Sequence, residues 1–366
     1  MKRALVYNRY LHTAGGGERL TLDWCLALSK IGYRVTFVTD SSFDRTLQDL
    51  CAVFGIPADV DWRLERIDDE RDIGQFCAEQ KFDLFVNGTF CSSLPNPAPV
   101  GIYSLMFPQY LPAQDRVNLS TYQRVLCISE FSKIFTHLWW GNEFPVQVLP
   151  PPISDSHMKA SGIEFARKEK LILNVGRFNV DGHCKRQLDA IQTFNRLLAQ
   201  GVLDKEWQLY CVGNLNAGAE NLRYLGRCRY EAGSNVRIET DVSFERLQDL
   251  YRRACVLWQF TGSHLKVGVT PQHCEHLGLV AMDSMCYGAL PMVYERSGVG
   301  YMIEHGKSGF VFGSTDELGA IMSSLGRAFG SDAHQNLFTQ TRNAAQKLGF
   351  ESFVGKLDSY ISEIVV

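Results

Sequence analysis

The chain has 366 residues, 45% hydrophobic and 21% charged, and is long enough for two globular domains. Its net charge of −3 gives no electrostatic basis for binding nucleic acid, and its eleven cysteines, without a C-x-x-C pair, indicate reduced thiols rather than a disulfide scaffold or zinc site. No apolar run reaches the roughly 18 residues of a membrane span, and the strand-like N-terminus is too short for a signal peptide, so we expect a cytoplasmic protein.

In the first 150 residues, short apolar segments alternate with helical ones. This alternation predicts a parallel, doubly wound sheet. The predicted strands are 2–8, 33–40, 81–88, 100–107 and 124–129, the last closing the sheet. The charged stretch 62–66 does not read as an apolar strand.

A glycine run, Gly15-Gly16-Gly17, precedes the first helix. It is neither G-x-G-x-x-G nor a P-loop, so neither of those nucleotide-binding patterns applies. From the residues alone, it is either a phosphate-binding loop or a helix-start turn with no ligand.

Three successive prolines, Pro150 to Pro152, mark a linker because they end regular structure. A second strand-loop-helix series opens at 170–178. We therefore predict two α/β domains, 1–155 and 165–348.

The second half carries the charged residues that suggest chemistry. Arg177 follows a predicted strand, and Lys185 comes eight residues later, followed by Arg186, from which spacing alone does not separate it. Glu275 precedes a predicted buried helix that carries Asp283. Fixed cations near a helix start suit a bound diphosphate, although spacing alone leaves each acidic residue an ordinary solvated or capping role.

Three patterns in this half resemble one family. They are Glu275-x-x-Gly278-Leu279, Asp283-Ser-Met-x-x-Gly288-x-x-Pro291 and Gly306-x-x-Gly309-Phe310. Together with Gly176-Arg177-Phe178 and Lys185, they resemble the donor-binding segment of retaining glycosyltransferases of the GT-B fold, in glycosyltransferase family 4 (group 1 glycosyltransferases). The resemblance implies two Rossmann-like α/β domains facing across a cleft. It also implies a return helix, 349–366, that packs on the N-terminal domain.

The resemblance also implies roles for the site residues. Arg177 and Lys185 clamp the donor diphosphate, Glu275 positions the donor sugar, and these three are the expected catalytic residues. Asp283 stands where the family has a glutamate that binds the nucleotide ribose. The remaining donor-binding positions are the loop glycines, a residue near the nucleobase and the amides at the helix start: Gly16, Gly17, Val242, His276, Leu277, Gly278 and Leu279.

The implied reaction is metal-independent transfer of a sugar, with retention, from a nucleotide-sugar donor to a glycan or lipid-linked glycan acceptor. Surface polysaccharide synthesis is the expected setting. No cofactor or metal is expected, and Asp59-Val60-Asp61 is the alternative, a metal-binding D-x-D. The pair Trp139-Trp140 is the one candidate for membrane contact, which would be peripheral, at the inner membrane face.

Met106 departs from the family, in which many members carry a histidine just before the Phe-Pro pair. A thioether donates no proton. Together with the shorter Asp283, it leaves a second interpretation open, a non-catalytic or weakened partner in a glycan-assembly complex. A nucleotide-sugar epimerase of similar fold is a third, which Met106 disfavours.

Overall fold

The computed structural model describes residues 1–10, 16–40, 49, 51, 56, 60–159, 162, 164–180, 183–215, 217–265 and 270–365. The chain forms two compact units. Unit 1 comprises Met1–Asp155 and Leu348–Val366, and unit 2 comprises Ser156–Lys347.

Unit 1 is built on a parallel seven-stranded sheet with the order β3-β2-β1-β4-β5-β6-β7. Its strands are β1 Arg3–Tyr7, β2 Arg34–Thr39, β3 Arg63–Arg66, β4 Leu84–Asn87, β5 Val100–Leu105, β6 Arg124–Cys127 and β7 Val146–Val148. The central strands are almost entirely apolar and buried, as expected for a parallel sheet covered on both faces.

The described helices of unit 1 cover this sheet. They are α1 Gly16–Lys30, α2 Ile73–Gln80, α3 Ala113–Leu119, α4 Glu130–Trp140 and α12 Phe350–Ser362, while the short α5 Asp155–Lys159 begins at the unit boundary and lies mostly in unit 2. The last helix, α12, packs against α1, where Phe353 meets Trp24 edge to face with ring centroids 5.9 Å apart. The backbone N–H of Ile153 donates to the Leu348 carbonyl at 2.9 Å, so the points where the chain leaves and re-enters unit 1 are adjacent.

Unit 2 has a parallel six-stranded sheet with the order β10-β9-β8-β11-β12-β13. Its strands are β8 Glu169–Val175, β9 Gln208–Gly213, β10 Val236–Thr240, β11 Ala254–Gln259, β12 Leu290–Tyr294 and β13 Phe310–Phe312. Its described helices are α6 Gln187–Ala199, α7 Ala219–Glu231, α8 Phe244–Arg253, α9 Leu279–Cys286, α10 Thr315–Ala328 and α11 Asp332–Gln346.

The strand order places a switch point between β8 and β11. After β8 the chain proceeds to β9 and β10 on one side, and it then returns to β11, β12 and β13 on the other. Because successive connections diverge there, a crevice opens beyond the carboxyl ends of β8 and β11, where ligands of open α/β sheets bind. The loops after these two strands carry the predicted charged residues.

Two sequence expectations for unit 1 were wrong. The charged stretch 63–66 is a strand, β3, at the edge of the sheet, and a further strand, β7, pairs with β6 beyond the expected end. Of the tryptophan pair, Trp140 is buried and donates its indole N–H to the Gln109 carbonyl at 2.8 Å, so only Trp139 reaches the surface. In the part of the chain that the structure describes, no helix is long and apolar enough to cross a membrane.

Candidate functional site

The loop after β8 brings Arg177 and Lys185 to the switch point. A Cβ atom on Gly176 would overlap the aliphatic stem of Lys185. The absence of a side chain at Gly176 therefore makes room for the Lys185 side chain to pack against this loop. The Arg177 side chain is exposed and forms no ion pair with any described residue. An exposed arginine at this position is available to an anion.

Lys185 meets Glu275 across the crevice. Its Nζ lies 2.6 Å from Glu275 Oε2, and the two side chains are 19% and 11% exposed. An ammonium group has three donors, and this contact uses one. The lysine can therefore hold Glu275 and still donate to a bound oxygen.

Glu275 is held as an ionised acceptor. Its Oε2 also accepts a hydrogen bond from Gln259 Nε2 at 2.7 Å, from the end of β11. Burial alone would raise the pKa of this carboxyl, but Lys185 and the nearby His183 and His276 outweigh it and lower the pKa. Glu275 is thus suited to accept hydrogen bonds and unsuited to supply a proton near neutral pH.

Two histidines flank this ion pair. The rings of His183 and His276 meet edge to face with centroids 4.5 Å apart. Burial, followed by the proximity of His183, lowers the pKa of His276 to about 3, and burial also lowers that of His183. His276 is therefore a neutral ring at physiological pH.

This neutrality predicts an acid sensitivity that His276→Gln should reduce. Below pH 6.5 the unfolded chain protonates His276, while the folded chain leaves it neutral until about pH 3. The free energy of unfolding therefore decreases as the pH is lowered, by up to roughly 1.4 kcal/mol per pH unit. Urea unfolding at pH 6.5 and 4.5 should show the wild type losing about 2 kcal/mol more than the variant between the two pH values. Equal losses in both proteins would refute this assignment.

The predicted helix start is α9, which is entered through Gly278. This residue has φ 92°, a left-handed conformation that favours glycine, and an added Cβ would lie 2.8 Å from Val299 Cβ. The Gly298 N–H donates to the Glu275 carbonyl at 2.6 Å and fixes the turn from behind. Leu279 and Val280 then begin the helix, where N–H groups lack an intrahelical acceptor and favour a bound anion.

Asp283 lies on α9, eight residues after Glu275, and has a different neighbour. Its Oδ2 is 3.5 Å from His157 Nε2, and its side chain is 13% exposed. The structure therefore does not pair the two acidic residues of the motif with each other. Each has its own basic partner.

Val242 follows β10 at the same edge of the sheet, two strands from β8. It is half-buried, and the loop beneath it is fixed by Asp241, whose N–H donates to the Gly213 carbonyl at 3.2 Å. The residue predicted to lie near the nucleobase is therefore at the same edge of the sheet as the Lys185–Glu275 ion pair but takes no part in that pair.

In unit 1, Gly16 and Gly17 are the first two residues of α1. A Cβ on Gly17 would lie 3.1 Å from Met106 Cε and 3.2 Å from its sulfur, so the thioether occupies the space beside the glycine. The Met106 carbonyl accepts a hydrogen bond from Ser132 Oγ at 2.6 Å, which anchors this segment. Their roles toward a ligand stay predictions.

Among the described residues, no group of three or more His, Cys, Asp or Glu side chains could hold a metal ion. Asp59 of the alternative D-x-D lies outside the described residues, whereas Val60 and Asp61 are described.

Sequence reasoning missed the residue that fixes the Arg177 loop. Gln187, buried at the start of α6, donates from Nε2 to the carbonyls of Gly176 at 2.8 Å and Arg177 at 3.1 Å. Its Oε1 accepts from the Tyr224 hydroxyl at 3.1 Å. A buried glutamine needs such partners, yet the sequence gives no signal of which partners it finds.

Comparison with known proteins gives a family match for part of the chain. Residues 159–325, which include the whole Arg177–Lys185–Glu275 region, match the family model for glycosyl transferases group 1. No curated protein matches the chain in sequence.

Solved structures match the chain over its whole length. A glycosyltransferase from Rickettsia africae has a TM-score of 0.76 at 12% identity, with 100% of this chain and 99% of that chain covered. Anabaena HepE in complex with UDP and glucose has a TM-score of 0.65 at 13% identity, covering 99% and 100%. The lipopolysaccharide outer core galactosyltransferase WaaB in its apo form has a TM-score of 0.67 at 14% identity, covering 99% of each chain.

The fold is GT-B. These identities are low, so the likenesses establish the fold alone, and the predicted fold class of two parallel α/β domains is confirmed. The resemblance to group 1 glycosyltransferases is confirmed as a family match over 159–325 of this GT-B chain.

Proposed function

We propose that this protein is a retaining, metal-independent glycosyltransferase of family 4 that takes a sugar from a nucleotide-sugar donor. The observation that carries the proposal is the mostly buried Lys185–Glu275 ion pair beside the exposed Arg177, at the switch point of unit 2. The family match over this region and the UDP and glucose bound by HepE support a nucleotide-sugar ligand.

The two cations serve the leaving group. When the bond between the anomeric carbon and the diphosphate oxygen breaks, negative charge collects on the diphosphate. Arg177 and Lys185, with the amides from His276 to Leu279, neutralise that charge in the place of a metal ion. Gln187 keeps the Arg177 loop in position for this contact.

Glu275 orients the donor sugar. Because its low pKa keeps it ionised, it accepts hydrogen bonds from sugar hydroxyls and transfers no proton itself. The acceptor oxygen bonds to the anomeric carbon on the face that the diphosphate leaves, and the acceptor proton passes to the departing diphosphate oxygen. The products are a glycoside of unchanged anomeric configuration and a free nucleoside diphosphate.

The acceptor in this proposal is a glycan or lipid-linked glycan, and the process is surface polysaccharide synthesis in the cytoplasm or at the inner face of the membrane. Asp283 would bind the donor ribose, and the backbone at Val242 would lie beside the base. Gly16 and Gly17 would contact the reacting sugar and the diphosphate.

A non-catalytic, donor-binding partner subunit is the second candidate. Met106 favours it, because the side chain beside Gly17 is a thioether, without the proton donor that many relatives carry at this position. Release of free nucleoside diphosphate by the purified chain, on addition of donor and acceptor, would exclude this candidate.

Thermal unfolding with a panel of nucleoside diphosphates and their sugars tests the donor site. A ligand at 100 times its Kd adds about 2.7 kcal/mol, so one base should raise the Tm by several degrees. Arg177→Ala should lose this shift. Arg237→Ala, which removes an exposed arginine on β10, is the matched control and should keep it. The absence of a shift with every nucleotide would overturn the proposal.

A further inference from the structure

A buried histidine stands beside the proposed ribose carboxylate. His157 lies on α5, the second residue of unit 2, and only 5% of it is exposed. Its ring contacts Phe244, Tyr251 and Tyr287 edge to face, with centroid distances of 5.2, 5.8 and 5.6 Å. Aromatic contacts on several sides allow the imidazole little freedom to turn.

The two ring nitrogens have different neighbours. Nδ1 lies 2.9 Å from the Tyr287 hydroxyl, and Nε2 lies 3.5 Å from Asp283 Oδ2. The Asp283 carboxylate can only accept hydrogen bonds, so it favours the tautomer in which Nδ1 is unprotonated and accepts from the Tyr287 hydroxyl. In the neutral ring the remaining N–H is then on Nε2, directed at the carboxylate.

Asp283 is one methylene shorter than the glutamate that the family carries here. A shorter side chain reaches less far from the helix, and its orientation matters more for any hydrogen bond it makes. A carboxylate has about four acceptor sites, and 13% of this side chain is exposed, so a ligand can reach it.

We infer that His157 is a positioning residue for donor binding, which holds Asp283 in the orientation that accepts a hydrogen bond from the nucleotide ribose. The inference rests on the proposed function, because it assumes that Asp283 binds the donor ribose. It adds a residue outside the family's motif, 126 positions earlier in the chain.

Deoxynucleotides test the inference. Calorimetry titrates UDP, GDP and ADP into the wild type, and then the 2′-deoxy and 3′-deoxy forms of the nucleotide that binds. The wild type should bind one deoxy form about 10- to 100-fold more weakly, since a hydrogen bond to a charged group is lost. His157→Phe, which keeps an aromatic ring among its three neighbours, should reduce this ratio to within about threefold of unity.

Further variants separate positioning from folding. Asp283→Asn leaves the His157 ring contacts in place and should lose the same discrimination. His157→Gln retains a donor near the position of Nε2 and should restore part of it. His334→Phe is the matched control, since it replaces another buried histidine of unit 2, held against Phe165 at 4.8 Å, and should keep the wild-type ratio.

The binding results separate a failure of the His157 inference from a failure of the proposed glycosyltransferase function. A wild-type ratio in folded His157→Phe or in Asp283→Asn would overturn the inference and leave the glycosyltransferase proposal standing. A wild type that binds no nucleotide would overturn both.

Discussion

Lys185→Met is expected to lower kcat/KM for sugar transfer by about 100- to 1,000-fold, the cost of removing one preorganised donor from a developing negative charge. The substitution also takes the cation from Glu275, which keeps the hydrogen bond from Gln259. Its pKa should then rise, because burial is the largest influence on it and Lys185 is the largest one opposing burial. Initial rates and the pH profile of kcat measure the two effects.

The matched control for this variant is Lys170→Met. Lys170 has a similar side-chain exposure of 20% and pairs with Asp204 at 2.6 Å and Glu206 at 2.7 Å, at the beginning of β8, the end of the strand away from the site. It should keep transfer within about twofold of the wild type, since surface ion pairs contribute little. Transfer by Lys185→Met at a similar rate would show that the ion pair has no part in catalysis.

Gly298→Ala is expected to destabilise unit 2 by about 3 kcal/mol or more and to abolish nucleotide binding. A Cβ at this position would overlap the carbonyl carbon and oxygen of His276, and backbone atoms cannot swing aside as a flexible side chain does. The turn would have to separate from 275–276 and so displace Glu275 from Lys185. Urea unfolding and the nucleotide-induced thermal shift measure the two losses.

Gly226→Ala provides the comparison. Gly226 lies within α7, where an added Cβ meets nothing within 4 Å, so alanine should be neutral or stabilising by up to about 1 kcal/mol. If both alanine variants were equally stable and bound nucleotide, the close approach at Gly298 would not be a requirement of the site.

The fold was predictable because its signal is local. Apolar strands buried on both faces, separated by amphipathic helices, indicate a parallel doubly wound sheet wherever they occur in a chain. The edge strand β3 escaped this reasoning since its residues, Arg63–Arg66, are mostly charged. Edge strands often carry charges because one side of the strand has no neighbour.

The candidate site could be predicted only in part, because some of its residues stand in sequence motifs and others matter only through long-range contacts. Arg177, Lys185 and Glu275 stand in sequence patterns, and the structure brings Lys185 and Glu275 into contact over 90 positions, while their roles toward a donor stay predictions. Gln187 stands in the same segment as Lys185, but the pattern gives it no role, and Gln259 and His157 lie outside any pattern. Their importance comes from contacts between elements far apart in the sequence, which periodicity and spacing do not reveal.

The adjacency of Ile153 and Leu348 has a consequence for the order in which the protein is completed during synthesis. Unit 2 is an uninterrupted segment inserted into unit 1, and all of its residues are synthesised before α12. Unit 1 begins first but must wait for its last helix to cover Trp24 of α1. A chain truncated just before α12 would therefore contain every residue of unit 2 but an incomplete unit 1, with the surface of α1 around Trp24 uncovered and accessible to chaperones.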